Sequence, residues 1–417
     1  MRDSLSLSSC TIKLPSLWAW IYAITVHGTC CVVGGVLCGT FLYRMLPKNA
    51  RTQNSTTEKA RGGGSSNAMR SCVSAFVGIA AASSVYLVRP VIERYSPHDE
   101  ITWAGPFLAS TFGFTTFFKS LNVAFDAYPE GADTDLSTWL MWFVMTPEPT
   151  FAKGKLCKAN RDEFVSKTIA FLSKIVALCF LLTALLRYPP PHYNVVTEKS
   201  SSSNEINDGG NVTGTFSWLV TIHVNGFFHL WLLYLYSAFC LDFSILTNCI
   251  VSGGVRMEPG FINPLLGSRS FKEAWGSRYN RPVNALLKRT VYIPARKSGC
   301  DRAVAAMLTF LASGLLHEYN FAMHNHRSLS LPSGYRPGEA TMFFLVIGLL
   351  MVGESWVWNR CFPRWLRAAI ERLPSFVTAS MLTVLVCGLA ELYFLRGWFQ
   401  SGFVEAVAEM LPHAICK

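Results

Sequence analysis

The sequence predicts an all-α protein that crosses a membrane about eight or nine times. Of its 417 residues, 51% are hydrophobic and 15% are charged, and the mean hydropathy is +0.29. A soluble chain of this length needs more charged side chains than this to cover its surface. Several uncharged runs are also long enough to cross a hydrocarbon core, which takes about 20 helical residues. Because lipid offers the backbone no hydrogen-bond partner, these runs are expected to be helices.

Eight apolar runs account for the predicted crossings. In chain order they are Leu17–Tyr43, Cys72–Ile92, Ile101–Phe118, Val165–Leu186, Phe216–Cys240, Ala303–Met323, Thr341–Trp358 and Phe376–Arg396. Apolar sequence continues from Phe216 as far as Val251, which exceeds the length of one simple crossing, so a ninth span or a half-buried helix is an alternative there. The shorter apolar stretch Leu136–Met145 is predicted to be an interfacial helix rather than a span.

The distribution of basic residues predicts how the chain is oriented. The segment from Ser252 to Arg302 is strongly basic, and basic loops remain on the cytoplasmic side of a membrane. This orientation places residues 51–67, rich in Gly, Ser and Thr, in the cytoplasm. It places residues 197–215, which hold the glycosylation sequon Asn211-Val212-Thr213, in the lumen. Both polar segments are predicted to be flexible loops within a single membrane-embedded domain of residues 1–417.

His317 is the first candidate for a functional residue. The run from Ala303 to Leu316 carries no charge, and His317 and Glu318 follow it directly. At about 1.5 Å of rise per residue, His317 lies roughly 20 Å into a hydrocarbon core that is about 30 Å thick. An ionisable residue at that depth indicates function. The alternative is a core histidine held by a hydrogen bond between helices, but the adjacent glutamate and the basic segment upstream favour catalysis.

Several other classes of site are excluded by residue spacing. The thirteen cysteines are scattered without a CxxC pair, which argues against a disulfide framework or a zinc site. The nine histidines show no HxxxH or HxxHH cluster of the kind that membrane di-iron enzymes need. The HxxxxD and HHxxxDG motifs of other acyltransferases are also missing from the sequence. No metal and no nucleic-acid partner are therefore predicted.

The basic segment and the helix after it resemble a known family. Residues 263–280 read NPLLGSRSFKEAWGSRYN, Val291-Tyr292-Ile293-Pro294 follows, and Ser313-Gly314-Leu315-Leu316-His317-Glu318 comes next. This combination resembles the membrane-bound O-acyltransferase superfamily, specifically its wax synthase-like branch, over residues 259–321. Tyr279 departs from the pattern, because the branch usually has a second tryptophan there.

The resemblance implies an acyl-CoA-dependent O-acyltransferase of the endoplasmic reticulum membrane, with helices that enclose a tunnel. It implies that His317 is the catalytic histidine and Asn280 the second signature residue. An imidazole with a pKa of about 6.5 is suited to removing a hydroxyl proton at neutral pH. The Asn280 amide could stabilise the oxyanion or orient the thioester. The alternative for Asn280 is a turn residue before Pro282.

Further residues are expected to contact the substrates. They are Trp275, Arg278, Lys272, Arg269, Ser313 and Glu318. The basic members suit the phosphates of coenzyme A, although topology alone also produces basic loops. Ser313 lies one helical turn before His317, so a Ser–His nucleophilic pair is an option, but direct transfer is preferred because serine in a membrane helix is commonly a packing residue. Glu318 points about 100° away from His317 and is expected to face another neighbour or the lumenal interface.

The acceptor is the least determined part of the prediction. A long-chain fatty alcohol, giving a wax ester, is the expectation at the level of the family, and diacylglycerol or a sterol are alternatives. Acyl-CoA is predicted as a co-substrate, and no cofactor is predicted. The rival class is a lipid transporter or scaffold that keeps the fold without the chemistry. Loss of His317 or Asn280 would mark that class, and both residues are present.

Overall fold

The structure is a computed structural model, and its described part is almost entirely helical. The described residues are 10–13, 21, 25, 29–46, 64–94, 104–188, 212–324, 336–400 and 403–416. Their strands form two short antiparallel pairs: β1 (Cys10–Lys13) with β4 (His413–Cys416), and β2 (Phe151–Ala152) with β3 (Lys155–Leu156). The all-α class is confirmed.

Helices occupy the described parts of the predicted apolar runs, and most of residues 17–28 and residues 101–103 lie outside the described residues. These helices are α1 (Gly35–Arg44), α2 (Gly64–Arg94), α3 (Ala104–Ala124), α5 (Arg161–Arg187), α6 (Val212–Val251), α11 (Arg302–His324), α12 (Glu339–Arg360) and α14 (Ser375–Ala390). By length and composition, five helical stretches among the described residues could cross a membrane: Ala68–Val85, Arg161–Arg187, Trp218–Val251, Glu339–Trp358 and Ser375–Phe399. The polytopic class is confirmed, and the number of spans stays a prediction.

Short helices and π-helical turns connect the long helices. The short helices are α4 (Leu136–Val144), α7 (Pro264–Gly267), α8 (Phe271–Glu273), α9 (Arg281–Leu287), α10 (Ile293–Lys297), α13 (Arg364–Arg372), α15 (Arg396–Gln400) and α16 (Phe403–Met410). The π-helical turns are Thr29–Gly34, Ala274–Arg278, Lys288–Tyr292 and Glu391–Leu395. π-helical geometry is rare and concentrates at functional sites, and two of these turns lie in the basic segment.

Helix α6 is longer than a single crossing requires. The apolar sequence from Phe216 to Val251 lies within one unbroken helix of 40 residues. At 1.5 Å per residue this helix is about 60 Å long, twice the thickness of a hydrocarbon core of about 30 Å. The predicted alternative of a separate ninth helix is therefore not what the structure shows. The additional length belongs to the same helix and leads directly into the basic segment.

The predicted interfacial stretch Leu136–Met145 forms α4, but its apolar side is covered by protein. Trp139 and Trp142 are fully buried. The Trp139 indole Nε1 donates to the Gly39 carbonyl oxygen of α1 at 2.8 Å. At the other end of α4, the buried Lys119 ammonium of α3 donates to the Trp142 carbonyl oxygen at 2.5 Å. The interfacial prediction is corrected in this respect, because α1 and α3 provide the contacts that lipid was expected to provide.

The two predicted flexible loops extend less far than the sequence indicated. Residues 51–63 and 197–211, with the sequon residue Asn211, lie outside the described residues. Helix α2 begins at Gly64 and helix α6 begins at Val212. The last four residues of each predicted loop are therefore helical.

Two glycines allow the helices around His317 to approach each other closely. A Cβ atom on Gly314 of α11 would lie 2.6 Å from the Cα atom of Thr341 in α12. A Cβ atom on Gly226 of α6 would lie 2.1 Å from the carbonyl oxygen of Cys387 in α14. Small residues permit this close packing of apolar helices. The backbones of α11 and α12 are thereby held in direct contact one turn from His317.

Candidate active site

The orientation of the His317 ring is fixed by the backbone of its own helix. The Nδ1 atom lies 2.7 Å from the carbonyl oxygen of Ser313. A carbonyl oxygen can only accept a hydrogen bond, so Nδ1 must carry the proton. In the neutral ring, Nε2 then keeps its lone pair, which is the form that a general base requires. The contact uses the Ser313 carbonyl rather than its hydroxyl, so it provides no activation of a serine nucleophile.

Aromatic side chains from two other elements enclose the imidazole. The ring of Phe344 in α12 stacks on it, with ring centroids 4.3 Å apart and planes inclined by 26°. Phe394, in the π-helical turn after α14, meets the imidazole edge to face, with ring centroids 5.1 Å apart and planes inclined by 76°. Phe343 stacks in turn on Phe394, with centroids 5.2 Å apart. We call Phe344 and Phe394 the walls of the His317 cage. His317 as a whole residue is half-buried.

Glu318 contacts a different neighbour from His317, as the helical geometry predicts. Its carboxylate accepts a hydrogen bond from the backbone N–H of Thr341 at 3.1 Å. Thr341 is the third residue of α12, and a negative charge at a helix N-terminus is favourable. Glu318 therefore ties α11 to the helix that provides Phe344. This position fits a structural role better than the contact with substrate that the sequence predicts.

Asn280 is a turn residue whose amide remains available. Its backbone has φ +39° and ψ +59°, the left-handed conformation that asparagine tolerates better than most residues. It directly precedes α9, and its carbonyl oxygen accepts from the Asn284 N–H at 3.0 Å. Among the described residues, its side chain makes no hydrogen bond. The two roles considered for Asn280 are therefore compatible, because its backbone forms the turn and its amide is left for a ligand.

Packing brings the helix that Asn280 begins against the helix of His317. Leu286 and Leu287 of α9 share a buried cluster with Leu316, the neighbour of His317. Phe118 of α3 closes the same cluster. The two signature residues thus belong to helices that are in direct contact.

Trp275 and Tyr279 pack inside the protein. Their rings are stacked, with centroids 5.7 Å apart and planes inclined by 23°. Tyr279 also meets the edge of Phe261 at 5.2 Å. Both residues pack against the buried cluster that includes Phe343 and Phe344 of α12. Tyrosine at the second aromatic position thus makes two ring contacts, and Trp275 packs, partly buried, against the core.

Four arginines of the basic segment are neutralised by carboxylates. The pairs are Arg256 with Glu163 at 2.9 Å, Arg278 with Glu273 at 2.6 Å, Arg281 with Glu258 at 2.9 Å, and Arg289 with Glu148. Arg278, a predicted substrate contact, also donates from Nη1 to the Ile262 carbonyl oxygen at 3.0 Å. Burial would raise the pKa of Glu273, but the N–H of Arg269 and the Arg278 guanidinium lower it below its ordinary value. Arg278 thus stabilises the loop rather than offering a free charge.

The other basic residues of this segment remain exposed. They are Arg269, Lys272, Lys288, Arg296, Lys297 and Arg302, and we call them the unpaired cations. Within the described residues, none of them forms an ion pair. The backbone N–H groups of Phe271 and Lys272 donate to Glu354 of α12 at 2.9 and 3.2 Å, which anchors the start of α8 to α12. Arg269 and Lys272 are thus exposed, and their contact with substrate stays a prediction.

The walls of the cage are functional candidates that the sequence did not reveal. Phe344 and Phe394 come from helices far along the chain from His317, and each is one of many phenylalanines in an apolar run. No local spacing in the sequence marks Phe344 and Phe394.

A metal site was not predicted from the sequence. No group of three or more His, Cys, Asp or Glu side chains that could hold an ion occurs in the described part of the chain. The use of no metal stays a prediction.

The fold and the site define a helical membrane protein with a caged histidine and a basic segment that precedes its helix. Residues 213–324, which include Asn280 and His317, match the model of the membrane-bound O-acyltransferase family. This match, together with the relatives described next, confirms the resemblance to the membrane-bound O-acyltransferase superfamily and its wax synthase-like branch.

The chain is similar to several plant acyltransferases. It is 32% identical over 163 residues to "Probable long-chain-alcohol O-fatty-acyltransferase 3" of Arabidopsis thaliana, which covers 37% of this chain and 44% of the relative. It is 31% identical over 162 residues to "Probable long-chain-alcohol O-fatty-acyltransferase 9" of the same plant, covering 36% and 43%. It is 31% identical over 90 residues to "Diacylglycerol O-acyltransferase 1-1" of Oryza sativa subsp. japonica, covering 22% and 16%. Each of these matches spans less than half the length of the relative.

Proposed function

We propose that the protein is an acyl-CoA-dependent O-acyltransferase that esterifies a long-chain alcohol to a wax ester in the endoplasmic reticulum membrane. The observation that carries this proposal is the state of His317, whose Nδ1–H donates to the Ser313 carbonyl oxygen and whose Nε2 therefore keeps its lone pair. The ring lies within the residues that match the acyltransferase family model. The names of the Arabidopsis relatives support a long-chain alcohol as acceptor.

In the proposed reaction, His317 moves one proton in each direction. Its Nε2 takes the hydroxyl proton as the alcohol oxygen bonds to the thioester carbonyl carbon. The tetrahedral intermediate then collapses, the carbon–sulfur bond breaks, and the leaving thiolate takes the proton back from Nε2 to give free coenzyme A. The apolar walls keep water away and strengthen electrostatic interactions inside the cage. The Asn280 amide is suited to stabilise the developing oxyanion or to orient the thioester.

The unpaired cations suit the donor. Coenzyme A carries phosphate groups, and Lys and Arg side chains that no carboxylate neutralises attract them most strongly. Lys288, Arg296 and Lys297 lie on the short helical stretch that leads from Asn280 into α11. This connection supports entry of the donor from the cytoplasmic side, with its phosphates at the surface and its thioester near the cage.

Diacylglycerol is the second candidate acceptor. The similarity to the rice diacylglycerol acyltransferase favours it, but that match covers 22% of the chain against 37% for the alcohol acyltransferase. A sterol acceptor has no comparable support. A long-chain alcohol and diacylglycerol present the same hydroxyl group to His317, so the cage alone does not discriminate between these two acceptors.

Product analysis tests the proposed function. Membranes that contain the protein receive labelled acyl-CoA and one acceptor at a time: a long-chain alcohol, diacylglycerol or a sterol. We expect wax ester as the main product, and a loss of about 10²- to 10⁴-fold in rate for His317→Ala. The matched control is Leu315→Ala on the same helix, where the leucine is 56% exposed, and it should keep the wild-type rate. Equal ester formation by wild type and His317→Ala would disprove the catalytic assignment.

A further inference from the structure

One side of α11 carries a row of polar groups. Ser313, His317 and Asn320 lie within about 60° of one another around the helix, given 100° per residue. The other polar residues nearby point elsewhere: Glu318 contacts α12, and the Tyr319 hydroxyl donates to the Ala82 carbonyl oxygen of α2 at 2.9 Å. Asn320 thus extends the polar side of α11 by one turn beyond His317.

Asn320 is buried without a hydrogen-bond partner. The residue is 7% exposed, and its Oδ1 atom is fully buried and unbonded. Within the described residues its side chain makes no hydrogen bond. A polar group that is buried without a partner destabilises a fold. An apolar residue would therefore be more favourable here unless the amide meets a ligand.

The direction of Asn320 follows from its neighbours. On one side of it around the helix is His317, which faces Phe344 and Phe394. On the other side is Leu316, which packs against α9, the helix that Asn280 begins. Asn320 therefore lies between the side of α11 that faces the cage and the side that packs on α9.

We propose that Asn320 is a substrate-binding residue that holds the hydroxyl group of the acceptor. This inference rests on the proposed function and extends it. Residues three apart on a helix have Cβ atoms about 5–6 Å apart, and one oxygen atom that makes two hydrogen bonds of about 2.8 Å can bridge such a distance.

The chemistry at the hydroxyl oxygen is complete in this arrangement. The Asn320 Nδ2–H donates to the hydroxyl oxygen while the hydroxyl donates its own proton to Nε2 of His317. The remaining lone pair of the oxygen is then directed at the thioester carbonyl carbon. A half-turn of the amide exchanges its oxygen and nitrogen ends, and no described residue bonds either end in place. The thioester lacks an O–H or N–H group at its reacting end, so it cannot use His317 and Asn320 in this way.

Asn320→Leu separates this role from a structural one. The variant keeps the approximate volume and removes the hydrogen bond. We expect kcat/KM for the alcohol to fall by about 10- to 100-fold, with the KM for acyl-CoA unchanged. Because a buried unpaired amide is replaced by an apolar group, the thermal unfolding temperature in detergent should stay equal or rise. Leu315→Ala should change none of these quantities.

Two results would overturn the inference. One is unchanged alcohol kinetics in Asn320→Leu. The other is a parallel loss of stability and of both substrates' kinetics, which would indicate a structural residue. Labelling by a photoreactive long-chain alcohol distinguishes these results from failure of the proposed function. If no ester forms in wild type but labelling still falls in Asn320→Leu, the acyltransferase proposal is wrong and the hydroxyl site stands. If labelling is equal in both proteins, the hydroxyl site is wrong.

Discussion

The imidazole of His229 and the carboxylate of Glu391 lie 2.8 Å apart, between α6 and the π-helical turn that follows α14. Their side chains are 10% and 1% exposed. The His229 ring also stacks on Phe399, with centroids 3.7 Å apart. Glu391 is the first residue of the turn that carries Phe394, a wall of the His317 cage. This buried pair therefore determines where one wall stands.

We expect Glu391→Leu to destabilise the protein by about 1–3 kcal/mol, because it leaves the buried Nδ1–H of His229 without an acceptor. Glu391→Gln keeps an oxygen that accepts from the His229 Nδ1–H and should cost less. Thermal unfolding of both variants in detergent measures the difference. Equal losses in the two variants would show that the hydrogen bond does not hold the turn.

The stacked wall should affect both stability and rate. Phe344→Ala removes the ring that lies 4.3 Å from the His317 imidazole, and a buried Phe→Ala change costs about 3–5 kcal/mol. A loosened imidazole should also slow ester formation by about 10- to 100-fold. Phe344→Leu keeps more apolar volume than Phe344→Ala. Its stability and its rate of ester formation should therefore lie between those of Phe344→Ala and wild type. Rates are compared well below the unfolding temperature of each variant. A wild-type rate in Phe344→Ala would contradict the role of the cage.

The unpaired cations should govern binding of the donor. The double change Lys288→Gln with Lys297→Gln should raise the KM for acyl-CoA by about 2- to 30-fold at low salt, and the effect should shrink as salt is added. The KM for the alcohol should stay constant. Arg256→Gln is the matched control, since this exposed arginine is already paired with Glu163. The assignment fails if Arg256→Gln has as large an effect as the double change.

The close contact between α11 and α12 can be tested with two glycines. Gly314→Ala would place a Cβ atom 2.6 Å from the Thr341 Cα atom, and the forced separation should cost about 1–3 kcal/mol. Gly353→Ala in α12 meets nothing within 4 Å and should stabilise the helix by about 0.5–1 kcal/mol. Relative to wild type, the unfolding temperature should fall in Gly314→Ala and rise in Gly353→Ala. If Gly314→Ala were as stable as Gly353→Ala, the contact would be looser than the structure shows.

Much of the fold could be predicted from the sequence, because lipid leaves an apolar run of 20 residues little choice but a helix. The sequence could not tell what covers an apolar helix. The stretch Leu136–Met145 was expected to meet lipid and meets α1 and α3 instead. Helix α6 could not be recognised as continuous, since length alone allows a break after the first crossing.

The site was predictable where its signal is local. His317 stands out because it follows an uncharged run. Asn280 stands out because it ends the motif of residues 263–280, which resembles the acyltransferase family. The pairing of Arg278 with Glu273, five residues earlier, was within reach of sequence reasoning, yet the loop conformation that joins them was not. Asn320 carried a signal too, since it lies one turn after His317. Phe344 and Phe394 depend on long-range packing, which a single sequence does not specify.

The two walls of the cage are attached in different ways. Phe344 belongs to α12, which is joined to α11 by the backbone contact at Gly314 and by the hydrogen bond from Thr341 to Glu318. Phe394 belongs to a turn anchored to α6 through Glu391. The two walls thus depend on different helices, although Phe343 of α12 also stacks on Phe394. A change that shifts α6 relative to α11 would move Phe394 while Phe344 stays in place, so the spacing of α6 and α11 sets the distance between the two walls.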